Sequence, residues 1–272
     1  MKQKKILNLF LVPVLTFSML VGCGSSATSD VQQPVSIENT ESTASGTEEE
    51  TVESQTTAES QTTEEAQAKD ENQADAEQLL VDLTGTYQEL WPVILADEYE
   101  SLWIDNCKTL VGEENAQAAY EKLASMVTGK IYGEEAVEAY ADGNGVYDCS
   151  FTQNVGTLEF DGATSTIKGY DTDGNELFSH SYHYIGMEEV RGLYEYESDD
   201  ADSGEFTYFC IAPDTSATTY HIELRYGSDI DALAQYNAGN YAYWLASGIS
   251  TEYDQEMIEN CIKLFCTENL SE

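Results

Sequence analysis

Between residues 146 and 226 the chain is cut by turn residues into short stretches that alternate apolar and polar side chains. A period of two sends successive side chains to opposite faces of an extended backbone, so each stretch reads as a strand with one face for a core. The candidates are 146–151, 157–160, 165–170, 177–184, 193–196, 206–211 and 219–226. Asp171-Thr172-Asp173-Gly174-Asn175 separates two of them as a tight hairpin turn. Short strands at this regular spacing predict an antiparallel barrel or sandwich.

The flanks read differently. Residues 76–83 form a short helical approach, and 97–110 carries Leu102, Trp103, Cys107 and Leu110 at helical spacing. Residues 113–127 repeat the pattern with Ala116, Ala119, Tyr120, Leu123 and Val127, and Gly129 stands where a helix would stop. A last helix closes the chain, with Ser250 or Thr251 as cap and Met257, Cys261, Leu264 and Phe265 on its apolar face. The expected class is α+β, mainly β, within one domain spanning 76–272, a length sufficient for a proper core.

Upstream of that domain the chain has no globular character. Lys2, Lys4 and Lys5 precede an apolar run from Ile6 to Val21, the order of a secretory signal. The run is short for a spanning helix, which needs roughly 20 apolar residues. Leu20-Val21-Gly22-Cys23 resembles the lipobox of bacterial lipoproteins, which implies cleavage after residue 22 and a diacylated Cys23. Two acyl chains anchor a protein where one binds only reversibly. Residues 23–75 are rich in Ser, Thr, Glu and Gln and contain hardly an aromatic, so they cannot offset the entropy of ordering and read as an extended tether. The expected location is extracytoplasmic, at the membrane surface.

With 51 acidic against 11 basic residues the net charge is −40, which repels nucleic acid and anionic headgroups. Cys23 aside, five cysteines remain: Cys107, Cys149, Cys210, Cys261 and Cys266. The odd number leaves at least one thiol unpaired within the molecule. Cys149 and Cys210 fall in strand-like stretches and are candidates for a bridge, whereas Cys261 and Cys266, five apart on a helix, are poorly placed for one. The sequence has no Gly-x-Ser-x-Gly, His-Glu-x-x-His or phosphate-cradling loop, so no enzyme is expected. Glu134-Glu135, Glu188-Glu189 and Asp199-Asp200 read as solvated faces. The tyrosines in and beside the strands, Tyr182, Tyr196 and Tyr226 among them, suit a barrel core, with a ligand cavity or a protein-binding face as the alternative.

Several strings, in order, resemble the ZinT (YodA) family. They are Leu83-Thr84-Gly85-Thr86-Tyr87-Gln88-Glu89-Leu90-Trp91-Pro92, Tyr170-Asp171-Thr172-Asp173-Gly174, Ile211-Ala212-Pro213 and Tyr220-His221-Ile222. The resemblance implies a lipocalin-like, calycin-type barrel with a helical subdomain and a zinc site of histidines near the barrel mouth. It places the three family ligand positions on Phe209, Thr219 and His221, so one histidine of three is kept. Of the chain's histidines, His180, His183 and His221, the last is the principal candidate ligand. Glu223 shares its face and adds an oxygen donor, which suits weakly held zinc or a harder divalent cation. His180 and His183, three apart on a strand, point to opposite faces and are lesser candidates. The function implied is that of a lipid-anchored accessory that captures a divalent cation for an uptake transporter. The alternative is a barrel without the metal that binds a small apolar ligand or another envelope protein.

Overall fold

A computed structural model describes residues 72–271 apart from Thr215, together with all their side chains except those of Ser216 and Thr218. The signal segment, Cys23 and nearly all of the expected tether lie outside the described residues. A helix over 72–82 (α1) leads into β1 (Gly85–Glu89), α2 (Trp91–Ile94), α3 (Glu100–Val111), α4 (Ala116–Met126) and α5 (Glu134–Ala139). There follow β2 (Thr157–Asp161), β3 (Thr166–Tyr170), β4 (Glu176–Met187), β5 (Tyr194–Ser198) and β6 (Tyr208–Ile211). The chain continues with α6 (Ser216–Thr219), β7 (Ile222–Gly227), α7 (Ile230–Leu233), β8 (Ala246–Ser250) and α8 (Gln255–Leu270).

The eight strands form a closed antiparallel barrel in sequence order, with β8 pairing back onto β1. Closure leaves no unpaired sheet edge. Alternation decides what lies inside: Leu158 and Phe160 of β2, Ile167 of β3, and Ile222, Leu224 and Tyr226 of β7 are all buried in one interior cluster. On the outer face, Glu159 and Lys168 stand opposite one another and pair at 2.7 Å. The β3–β4 turn is closed by the Asp171 carboxylate, which accepts from the backbone N–H groups of Asp173 and Asn175, while Gly174 takes φ +82°. Gly169 faces Phe178 across the β3–β4 ladder, and a Cβ there would collide with the Phe178 ring. The missing side chain therefore makes room for an aromatic in the core.

That interior is filled rather than hollow. Tyr182, Tyr196, Phe209, Tyr226 and Trp244 pack within it, and α1 adds Ala76, Leu79, Leu80 and Leu83 from one face. The Tyr196 hydroxyl donates to the Ala76 carbonyl at 2.8 Å, tying helix to barrel. The tyrosines thus serve as core, as the simpler of the two sequence readings has it.

A second cluster lies outside the sheet. Helices α2, α3, α4 and α8 bury Trp91, Ile94, Trp103, Cys107, Leu123, Ile258, Ile262 and Cys266 against Ile249 of β8 and Cys149. Trp103 is fully buried and its indole N–H donates to the Ile94 carbonyl at 2.7 Å.

Several expectations need correction. Residues 146–151 are not a strand, because Asp148 turns its carboxylate onto the Ser150 N–H and leaves only isolated bridges to Thr128 and Trp244. The last central strand begins at Ile222 rather than Thr219, since Thr219 ends α6 and Tyr220 takes φ +67°. The cap of α8 is Asp254, whose carboxylate accepts from the Met257 N–H. The buried face of α8 is Ile258, Cys261, Ile262 and Cys266. Glu188 is not solvated but buried, accepting from the N–H groups of Val190, Arg191 and Leu193 and from the Tyr236 hydroxyl.

Candidate metal centre

The strand β7 turns Ile222, Leu224 and Tyr226 inward, so Glu223 faces outward, and His221, two residues earlier, shares its side. The preceding turn fixes the imidazole. Thr219 Oγ1 donates to the His221 carbonyl at 2.8 Å, and His221 Nδ1 lies 2.8 Å from the Thr219 carbonyl. A carbonyl only accepts, so Nδ1 carries the hydrogen, and this reciprocal pair spans Tyr220 in its left-handed conformation. Left-handed backbone at a non-glycine residue costs on the order of 1–3 kcal/mol and persists only where neighbours enforce it.

With Nδ1 committed to a carbonyl, Nε2 is turned toward Glu223 Oε1, 3.7 Å away. This separation is long for a hydrogen bond. Two donors each about 2.1 Å from a tetrahedral cation stand about 3.4 Å apart, so the gap is close to what a shared ion requires. Backbone anchoring of the opposite ring nitrogen is the usual arrangement behind a ligating histidine. The two side chains are only 15% and 35% exposed, which screens the pair partly from water.

Electrostatics reinforce the pairing. Burial opposes charge on His221, but Cys261 and Glu223 outweigh it and hold the imidazole pKa well above its ordinary value. For Glu223, burial works to raise the pKa, and His221 with help from Arg191 overrides it, so the carboxyl sits below its usual range. Two more carboxylates feel this site. Asp214, just after β6, and Glu268 of α8 are both raised, first by burial, with Glu223 adding repulsion and His221 attraction. Cys261 Sγ approaches His221 from α8 at 3.9 Å, but on the Nδ1 edge of the ring, away from Nε2. Among the described residues no group of three or more His, Cys, Asp and Glu side chains converges tightly enough to hold a metal by itself. What the site offers is two facing donors, His221 Nε2 and Glu223 Oε1, with acidic groups nearby.

His180 and His183 take no part in this arrangement. They sit on β4, the first turned inward and half-covered, the second outward and exposed, as expected for residues three apart. His180 Nδ1 is 2.9 Å from Asp200, and His183 Nδ1 is 2.8 Å from Asp199 with Glu197 at 3.9 Å from Nε2. Phe209 is fully buried in the barrel against Tyr182 and Tyr226 and offers no donor. Thr219 contributes its backbone carbonyl to orient His221. The site lies on the outer face of the barrel, where β7 meets α8, rather than among inward-pointing residues of the barrel. Asp214, Cys261 and Glu268 were not marked as site residues by the sequence. The acidic residue directly after Ile211-Ala212-Pro213 is the one signal that would have pointed to Asp214.

No protein-family model matches the chain, and no curated protein matches it. Among solved structures, it is similar to the Zn(II)-bound ZinT-like domain of AdcA from Streptococcus pneumoniae, with 15% identity over 68% of this chain and 89% of that one, at a TM-score of 0.44. It is also similar to Zn(II)-bound AdcA from the same organism, with 15% identity over 71% of this chain but 35% of that one, at a TM-score of 0.39.

Proposed function

We propose that this domain captures a divalent cation, zinc foremost, between His221 Nε2 and the Glu223 carboxylate. One observation carries the reading: Nδ1 is spent on the Thr219 carbonyl while Nε2 and Glu223 Oε1 face each other at 3.7 Å. Imidazole and carboxylate suit zinc, water takes the remaining positions, and Asp214 and Glu268 add negative charge nearby. Two protein donors make a modest, exchangeable site, which suits a carrier that must release its cargo. On this reading the protein does no covalent chemistry. His180 and His183, each hydrogen-bonded to an aspartate of its own, stay outside the site. Export and acylation at Cys23, read from the sequence, would hold the domain on the extracytoplasmic face of a membrane, where it would pass the ion to an uptake transporter.

Calorimetric titration of the purified protein with zinc, manganese and calcium tests this. One zinc per chain is expected, weakened at least about tenfold by either His221→Ala or Glu223→Gln, and unaffected by His183→Ala. Absence of binding at micromolar zinc, or binding indifferent to His221→Ala, would refute it. Acylation is checked separately: incorporation of labelled palmitate should vanish in Cys23→Ser.

A further inference from the structure

Five cysteines occur among the described residues, all of them buried and free. Their placement is uneven. Cys149 belongs to the helical cluster and Cys210 to the barrel cluster. Cys261 turns to His221, and Cys266, about 140° further round α8, turns away from it. Cys266 Sγ instead meets Cys107 Sγ of α3 at 3.9 Å, van der Waals contact between two fully buried thiols 159 residues apart in sequence. The helices that carry them lie side by side in the outer cluster.

We infer that Cys107 and Cys266 form a latent disulfide that staples α8 to α3. The sulfurs need to approach by about 2 Å to reach bonding distance, a displacement within the reach of side-chain rotation. The oxidant is a disulfide of a thiol carrier, such as glutathione disulfide or the active-site disulfide of a thiol oxidase. One cysteine thiolate attacks it, forming a mixed disulfide and expelling one carrier thiolate. The second cysteine then attacks the protein sulfur of that mixed disulfide and expels the other. Two protein thiols are oxidised, one carrier disulfide is reduced to two thiols, and the two protons end on the carrier. Burial raises both protein thiols above their ordinary pKa, so the folded pair reacts slowly and the bond forms while the chain folds or when α8 opens. An oxidising extracytoplasmic setting, as the signal segment implies, supplies such carriers. The staple fixes the helix that brings Cys261 and Glu268 beside His221 and Glu223.

The sequence makes the test direct, because trypsin separates all five cysteines. Cys107 falls in 70–108, Cys149 in 131–168, Cys210 in 192–225, Cys261 in 226–263 and Cys266 in 264–272. The full-length protein is equilibrated in a glutathione redox buffer close to its unfolding transition, cooled, denatured, alkylated and digested. Peptides 70–108 and 264–272 are expected joined, with the other three singly alkylated. Separate alkylation of both, two mixed glutathione adducts, or Cys107 joined elsewhere would overturn the inference. Oxidised protein should also melt roughly 5–15 °C above reduced protein, a gain kept in Cys149→Ser and absent in Cys107→Ser. If Cys107→Ser does not fold, the peptide map of the natural sequence decides alone.

Discussion

Replacing Arg225 with methionine should destabilise the domain by about 3–4 kcal/mol. Arg225 lies on β7 with no exposed surface and, among the described residues, no carboxylate in an ion pair with it. Its guanidinium donates to the carbonyls of Leu233 and Tyr241, with a longer contact of 3.4 Å to the Gln235 carbonyl, and its centre lies 4.4 Å from the Tyr236 ring centroid. Bonds from a charged donor contribute roughly 1.5–3 kcal/mol each, so the two close ones give about 3–6 kcal/mol. Methionine fills the volume and ends the cost of burying a charge, which returns part of that sum, yet it leaves buried carbonyls without donors. Lysine should do little better, because one ammonium cannot span carbonyls that a planar fork reaches together. Denaturant unfolding of the three proteins at neutral pH measures the effect as a lowered midpoint with an unchanged slope. A loss below about 1 kcal/mol for Arg225→Met would mean that the loop between β7 and β8 is held by something other than this cation.

Other outcomes follow from the same structure. Tyr196→Phe should cost about 1–2 kcal/mol in thermal or denaturant unfolding, because the Ala76 carbonyl loses its partner inside the core. Hydrogen exchange in α1 should quicken in that variant. The Asp171 carboxyl is held below its ordinary pKa by Asn175, with further help from backbone N–H groups. Its contribution to stability is therefore complete above about pH 4 and is lost as pH falls through the lower folded value. Asp171→Asn should flatten acid unfolding curves below that point. Zinc affinity should fall as pH drops, beginning above the ordinary histidine range, because the raised pKa of His221 keeps a proton competing for Nε2 while Glu223 stays ionised. Titrations at a series of pH values read this directly, as do the protons released on binding.

Strands β2, β3 and β5 were legible because their side chains obey a strict period of two, and the β3–β4 turn because Gly174 and Asp171 leave one geometry open. The two strands that close the barrel were not. Strand β8 is Ala-Ser-Gly-Ile-Ser, small residues with little strand preference apart from Ile249, held in place by its partners β1 and β7. Strand β1 lies outside the alternating stretches between 146 and 226 and ends two residues before α2 begins. In the candidate centre, the shared side of His221 and Glu223 followed from alternation alone. The left-handed Tyr220, the carbonyl that orients the ring, and the carboxylates from β6–α6 and α8 depend on tertiary packing that no local pattern encodes. Cys107 and Cys266 escaped notice for the same reason: their helices are far apart in the chain and meet only in the folded layer.

Closure of the barrel also sets an order of events in time. Strands β2 through β5 join neighbours through short connections, and such pairings form early at low entropic cost. The seam between β1 and β8 is different, since Thr251 reaches back to the Thr86 carbonyl across 165 positions. A chain delivered amino-terminus first therefore keeps β1 unpaired on one side until β8 has emerged. Pairing of β1 with β8 is the long-range closure that such a chain makes at the greatest entropic cost, and a delay in forming β8 leaves β1 and β7 as open sheet edges.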